Sequence, residues 1–378
     1  MYASLLIWIT FLTLTLLGTW LSLTQRKRQK IKQKSYFLPP VSILKPLKGI
    51  QQGLEENLKT FFQLDYPQFE IVFSVSDPND PVVPLVRNLT KQFPQIPTKL
   101  FLTDEKIGPN PKVNNLVKPY RYSTYDHVLI SDSTIRVTKD YLRQVVYQLK
   151  DDSGVVTSLV TGTNPESIGG HLEAVQMNTF CVKGMLLADF FGRPCVLGKS
   201  MLIQKSVASR FGGLEVLGQY LAEDYMTAEA IKQLGLKVET MAFSLDQYLG
   251  KYSFREFWNR HVRWGRIRKC HAPFVFLIEL LCNCVLTGLL GSMVLEYFFH
   301  LPFWQVFFTH LGIVCLLDQI VMTAFGKKPS PNTILFWAFR ELLMIPLWVT
   351  IAYSNQIIWH DTKLKLEYGG LVRELGTT

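Results

Sequence analysis

Charge is scarce in this chain: Asp, Glu, Lys and Arg make up 19% of its 378 residues, against 48% hydrophobic residues. That balance is too apolar for an ordinary soluble enzyme and too polar for a chain lying wholly in a bilayer. Cysteine is sparse as well. The six are scattered with no CxxC pair, which excludes a disulfide framework or zinc site and points the aqueous part to a reducing compartment. Cys282 and Cys284 sit in an apolar run, where cysteine behaves as a small hydrophobe. Internal repeats and low-complexity tracts are lacking. The net charge of +10 comes without zinc-finger spacing or an aromatic RNA motif, so a nucleic-acid partner is set aside. Anionic lipid and phosphates remain as the partners that a basic chain favours.

The apolar residues that are present cluster. Leu5 to Leu23 is uncharged and long enough to span a bilayer, and Arg26, Lys27, Arg28, Lys30, Lys32 and Lys34 follow at once. A signal peptide has the reverse order, charge first and a small-residue cleavage site last. Residues 1–24 therefore read as a retained anchor whose C-terminal side is cytoplasmic. Residues 272–354 hold three further apolar segments, near Phe274–Phe299, Trp304–Phe325 and Thr333–Tyr353, and a tail occupies 355–378. Lys327 and Lys328 mark a cytoplasmic loop before the last segment. That segment contains Arg340, Glu341 and Pro346. It either crosses, leaving the tail outside, or re-enters and returns Trp359 to Lys365 to the cytoplasm.

Residues 25–252 differ in character. Short β-branched runs (Glu70 to Val75, His127 to Ile130, Gly154 to Leu159) alternate with helical stretches (Leu54 to Phe62, Ala222 to Leu234). This pattern predicts an α/β domain with a largely parallel sheet, whose ligands gather at the carboxyl ends of the strands. Residues 253–271 read as a basic amphipathic helix. Phe254, Phe257, Trp258 and His261 follow helical spacing, with Arg255, Arg263 and Arg266 elsewhere around it. Such a helix rests in the lipid interface or packs against the soluble domain.

Four short elements can carry chemistry. Asp77 ends an apolar run and precedes Pro78-Asn79-Asp80, suiting either a nucleotide contact or an Asx turn. Asp132 ends a second run and offers a hard oxygen ligand for a divalent cation beside a diphosphate; strand-Asp-Ser is also frequent at plain turns. Asp224, in Leu221-Ala-Glu-Asp-Tyr225, opens a helix whose dipole favours its anion, either as a general base or as a cap. Arg260, Arg263 and Trp264 combine diphosphate-binding forks with an aromatic wall, or serve as interfacial anchors.

Taken in order, with membrane segments on both sides, these elements resemble the D, D, D, (Q/R)xxRW pattern of the ceramide glucosyltransferase family, membrane glycosyltransferases of the GT-A class. Val41 to Gly49 looks like that family's opening strand, Gly108 to Asn115 its donor-site loop, and Gly198 to Met201 the strand before the third acid. The resemblance implies a GT-A-type α/β domain and an inverting transfer from a UDP-sugar to a membrane lipid. Asp77 would contact uracil and ribose, and Lys112 the nucleotide or diphosphate. Asp132 would lie at Mg2+ or Mn2+, and Asp224 would be the catalytic base. Arg260, Arg263 and Trp264 would close over the diphosphate and the acceptor. His171 matches a family histidine on the acceptor side, or is a satisfied loop residue. One departure stands out: Asp132-Ser133-Thr134 replaces the full Asp-x-Asp metal motif of many GT-A enzymes.

The function implied is transfer of a hexose, glucose by resemblance, to ceramide, by a multi-pass protein with a cytoplasmic catalytic domain. A hopanoid acceptor glycosylated from a UDP-N-acetylhexosamine is the nearest alternative. A processive polysaccharide synthase needs more spanning helices than this chain offers, and a non-catalytic scaffold has no need of the ordered acids.

Overall fold

A computed structural model of the protein describes residues 1–28, 38–359 and 362–377. Lys30, Lys32 and Lys34 of the expected basic run lie outside them. The chain opens on α1 (Tyr2–Arg28). Next come β1 (Val41–Leu47), α2 (Leu54–Phe62), β2 (Phe69–Val75), α3 (Val82–Gln92), β3 (Thr98–Phe101) and α4 (Pro111–Tyr122). β4 (His127–Ser131), β5 (Ile135–Arg136), α5 (Tyr141–Val146) and β6 (Ser153–Pro165) follow. Helices α6 (Ile168–Gln176) and α7 (Val182–Phe190) are joined through a π-turn at Met177–Cys181. Then come β7 (Ser200–Gln204), α8 (Lys205–Ser209), α9 (Glu223–Gln233) and β8 (Lys237–Gly250). The C-terminal third holds α10 (Phe254–His271), α11 (Pro273–Leu281), α12 (Cys284–Phe299), α13 (Phe303–Ala324) and α14 (Pro331–Tyr353). It closes on β9 (Gln356–Trp359), β10 (Thr362–Leu366) and β11 (Val372–Thr377). These elements form two compact units, one from Ile31–Thr163 and Gly192–Gly250, the other from Met1–Lys30, Asn164–Phe191 and Lys251–Thr378.

The first unit is an eight-stranded sheet in the order β3-β2-β1-β4-β7-β6-β8-β5. β2 reads Phe-Glu-Ile-Val-Phe-Ser-Val and is buried throughout, as a strand covered on both faces must be. Val72, Leu44 and Ile130 from three neighbouring strands pack with Val113 and Leu116 of α4. The four strands β3, β2, β1 and β4 are parallel, but β7 runs antiparallel to both β4 and β6. The sheet is thus mixed rather than largely parallel. A strand as short as β7, Ser-Met-Leu-Ile-Gln, carries no periodicity that distinguishes the two directions. Its direction matters to the site, because pairing Ser131 with Ser200 sets the start of β7 beside the end of β4.

In the second unit, α12 and α13 form an antiparallel hairpin against α1. Trp8 Nε1 donates to His310 Nδ1 at 3.3 Å, and His310 Nε2 lies 3.2 Å from the Cys284 carbonyl. Glycines make the close approach: a Cβ on Gly291 would come within 2.4 Å of Trp8, and one on Gly288 within 2.7 Å of His310. Helices α1, α13 and α14 are long and apolar enough to cross a membrane; α11 and α12 qualify only together, across a 57° bend. Buried charges here are paired. Asp318 bonds Lys183 and accepts from Trp337 Nε1 at 2.8 Å. Glu341 meets Arg340 at 2.8 Å and accepts from the Cys284 N–H at 3.2 Å, holding the first turn after the bend. Ion pairing of this kind is what admits such groups at membrane depth.

Ile71 is fully buried at the centre of the parallel half. Ile71→Ala is expected to lower stability by about 2–5 kcal/mol, read as a lower denaturation midpoint in detergent; an unchanged midpoint would place Ile71 outside the core.

Candidate active site

The carboxyl ends of β1, β2 and β4 lie side by side in the parallel register, and Asp132 follows β4 directly. Opposite it, Asn110 starts α4. Its Oδ1 accepts from the Lys112 and Val113 N–H groups while its Nδ2 donates to the Tyr220 carbonyl at 2.7 Å. With Pro111 fixing the first helical residue, this start aims the Lys112 ammonium at three acceptors: Asp132 Oδ1 at 3.0 Å, Glu223 Oε1 at 2.9 Å and the Gly198 carbonyl at 3.0 Å. The Gly198 N–H in turn donates to Asp224 Oδ2 at 2.9 Å, and the Tyr225 N–H to Asp224 Oδ1 at 2.8 Å. A Cβ on Gly198 would lie 2.7 Å from Lys112 Nζ and 2.9 Å from Glu223 Oε1, so the crossing admits only glycine without disturbing the ion pairs.

Electrostatics sharpen the picture. Burial raises the Asp224 carboxyl, the Glu223 charge raises it further, and Lys112 with the two N–H donors pulls it part of the way back, leaving it at about 6. Burial would lower Lys112, but Asp132, Glu223 and Asp224 more than reverse that and hold it charged. Beneath the site, fully buried Lys45 donates to the Asp132 carbonyl at 2.7 Å and to Ser131 Oγ at 3.2 Å, above the Phe61 ring at 3.7 Å. Burial lowers its ammonium to about 7, with Asp132 opposing.

Three of the expected residues, Lys112, Asp132 and Asp224, are therefore brought together. Asp77 lies exposed after β2, its Oδ1 accepting from the Asn79 N–H at 2.9 Å, an Asx turn. The others belong to the second unit. Arg260 Nη1 meets Glu173 Oε1 at 2.9 Å and His261 Nε2 meets Glu173 Oε2 at 2.7 Å, with Glu173 wholly buried. The Arg260 guanidinium also lies 5.1 Å from the Tyr252 ring and 5.2 Å from that of Trp264. Burial, reinforced by Arg260, lowers Arg263. His171 is on helix α6 rather than in a loop, stacked at 4.7 Å on Phe336, and burial lowers its ring.

The sequence profile of glycosyl transferase family 21 matches residues 5–372. The chain belongs to that family. Relatives include ceramide glucosyltransferase 1 of Caenorhabditis elegans, 31% identical over 89% of this chain and 73% of the relative. Another is the ceramide glucosyltransferase of Komagataella phaffii, 26% identical over 91% and 86%. Among solved structures, a Pyrobaculum calidifontis mannosyltransferase in complex with GDP-Man and Mn2+ is 18% identical, with a TM-score of 0.48 over 92% of this chain and 96% of that one. This family 21 glycosyltransferase is a membrane protein, and its α/β region is built on a mixed eight-stranded sheet.

Two functional-looking residues of the family 21 chain escaped sequence reasoning. Glu223 was overshadowed by its neighbour Asp224, although both open α9 and both face the site. Glu173 carried no signal, being one acid in a helix assigned no role. Among the described residues, no group of three or more His, Cys, Asp or Glu side chains is arranged to hold a metal. A single carboxylate at Asp132 does suit a cation whose other ligands are phosphate oxygens, a common arrangement for Mg2+.

Lys112→Met would leave Asp132 and Glu223 without their counter-charge. We expect stability to fall by up to about 3 kcal/mol, and more at about pH 8 than at about pH 5, because Asp224 titrates at about 6 and its protonation removes one of the repelling charges. Thermal unfolding at both pH values checks this; an equal deficit at both would contradict it.

Proposed function

We propose that the chain transfers glucose from UDP-glucose to the hydroxyl of a membrane lipid such as ceramide at the cytoplasmic face, inverting the anomeric carbon. The observation that carries this reading is the Asp224 carboxylate, raised to about 6 yet held by two backbone N–H groups. The names of the relatives favour the donor and acceptor.

In this reading residues 1–24 anchor the chain, 25–252 form the catalytic domain, 253–271 the interfacial helix, and 272–354 the membrane segments before the tail. Asp77 takes the uracil and ribose. A carboxylate has about four lone-pair sites, so each Asp224 oxygen retains acceptor capacity beyond its N–H partner. Asp224 accepts the proton of the lipid hydroxyl as that oxygen attacks the anomeric carbon from the face opposite UDP. The C–O bond to the diphosphate breaks with its electron pair leaving on UDP. Lys112, Arg260 and Arg263 stabilise that charge, Trp264 walls the acceptor, and His171 supports it. Mg2+ or Mn2+, held by Asp132 and the donor's phosphates, would supply Lewis-acid stabilisation there.

Isolated membranes given radiolabelled UDP-glucose and ceramide are expected to move label into the organic phase. Asp224→Asn should cut turnover by about 10²–10⁴-fold while UDP binding persists. Since the base works deprotonated, wild-type turnover should fall as pH drops through about 6. Near-normal turnover in Asp224→Asn would make Asp224 a cap; label only from UDP-N-acetylhexosamines would replace the donor.

A further inference from the structure

We propose that α14 does not cross the bilayer but lies along a single leaflet, its outer face in the acyl region and its flanking basic residues at anionic headgroups. Its length and hydropathy alone would admit a crossing. This inference rests on the reading of α12 and α13 as a membrane hairpin; its test reads sidedness and not sugar transfer.

Three observations carry it. The first is where the two ends of α14 are held. The α12–α13 hairpin is antiparallel, so the chain enters it at Cys284 and leaves it at Ala324 on the same end. The start of α14 stays near the exit: Thr333 Oγ1 lies 3.4 Å from Gln319 Oε1, and Trp337 bonds Asp318. Its far end is capped by Lys269 of α10, whose ammonium donates to the carbonyls of Ile351 at 2.8 Å and of Ala352 and Ser354 at 3.0 Å. Helix α10 precedes the hairpin on its entry side. Both ends of α14 are thereby tied to the end at which the hairpin opens.

The second observation is what lies along α14. Val262 packs with Leu347 and Ile351, and Gly265 approaches Ile351 so closely that a Cβ would come within 2.3 Å of it. A crossing α14 would carry α10 with it into hydrocarbon. That helix bears Arg255, Arg260, Arg263, Arg266, Arg268 and Lys269, each costing about 2.5–3.5 kcal/mol at the centre of a membrane helix. Arg260 meets the buried Glu173 at 2.9 Å and Arg268 meets Glu279 of α11 at 2.7 Å, so a crossing would bring six cations to membrane depth against two carboxylates that pair with them.

The third is the division of α14 into two faces. Trp337, Arg340, Glu341, Leu347 and Ile351 are buried. Leu335, Phe339, Leu342 and Val349, spaced four, three and seven residues apart, are exposed and make one apolar stripe. On α11, exposed Phe274 and Leu277 continue the apolar surface. An apolar outer face with arginines on the adjoining helix is the charge and hydropathy pattern of a segment seated in one leaflet.

The test places single cysteines in the full-length protein in sealed membrane vesicles and treats them with a membrane-impermeant maleimide. Lys328→Cys reports the start of α14, Lys363→Cys the tail after it, and Leu301→Cys the far turn of the hairpin. All three positions are exposed. Each is scored as labelling above the parent chain, relative to labelling after detergent. We expect Lys328→Cys and Lys363→Cys to react from one side and Leu301→Cys from the other. Lys363→Cys reacting together with Leu301→Cys would overturn the proposal. A protease-cleavable tag after Thr378 gives the same reading without substitution in the sheet: cleavage from the Lys328 side supports it, cleavage from the Leu301 side refutes it.

Discussion

One ammonium group organises the catalytic unit. Lys112 reaches Asp132 after β4, Glu223 at the start of α9 and the Gly198 carbonyl before β7, three segments far apart in sequence. Without it, Asp132, Glu223 and Asp224 would repel one another in a partly desolvated space where each charge is costly. Much of the local sequence follows from placing that group. Asn110-Pro111 starts the helix that carries it, and Gly198 gives it room. The same pairing tunes Asp224, since Lys112 offsets part of the rise that burial and Glu223 impose. The result is a carboxylate both ionised at neutral pH and basic enough to take a proton, the compromise that general-base catalysis favours.

The membrane unit follows the same rule with different partners. Glu173 neutralises Arg260 and fixes His261, and the docking is tight: a Cβ on Gly169 would come within 2.2 Å of the Ser253 backbone at the start of α10. Asp318 with Lys183, and Glu341 with Arg340, link α7, α13 and α14 to the bend between α11 and α12. Buried pairs of this kind add little net stability over an apolar core. Breaking one, however, leaves an unpaired charge, so they specify which helices meet.

Much of this was legible in the sequence. The runs ending at Val75 and Ile130 became β2 and β4, and the Ser253–Lys269 helix appeared with a Ser253–Glu256 capping box. Those readings depend on local pattern. What stayed hidden depends on long-range placement. The antiparallel run of β7 is invisible in five apolar-rich residues. The pairing of Lys112 with Glu223 joins positions 111 residues apart, more than any spacing rule spans. The buried Lys45 looked like one basic residue among many, yet it supports the Asp132 backbone. Arg260 was read for its fork of donors, a reading that gave no hint of Glu173 waiting opposite it.

The account stands on a single displacement at the anomeric carbon with Asp224 as base, and the stereochemistry of the product tests this most directly. UDP-glucose carries its sugar in the α configuration, so proton NMR of the purified glycolipid should show a β-linked glucose. An α-linked product would require a double displacement or front-face transfer, and would contradict the role assigned to Asp224.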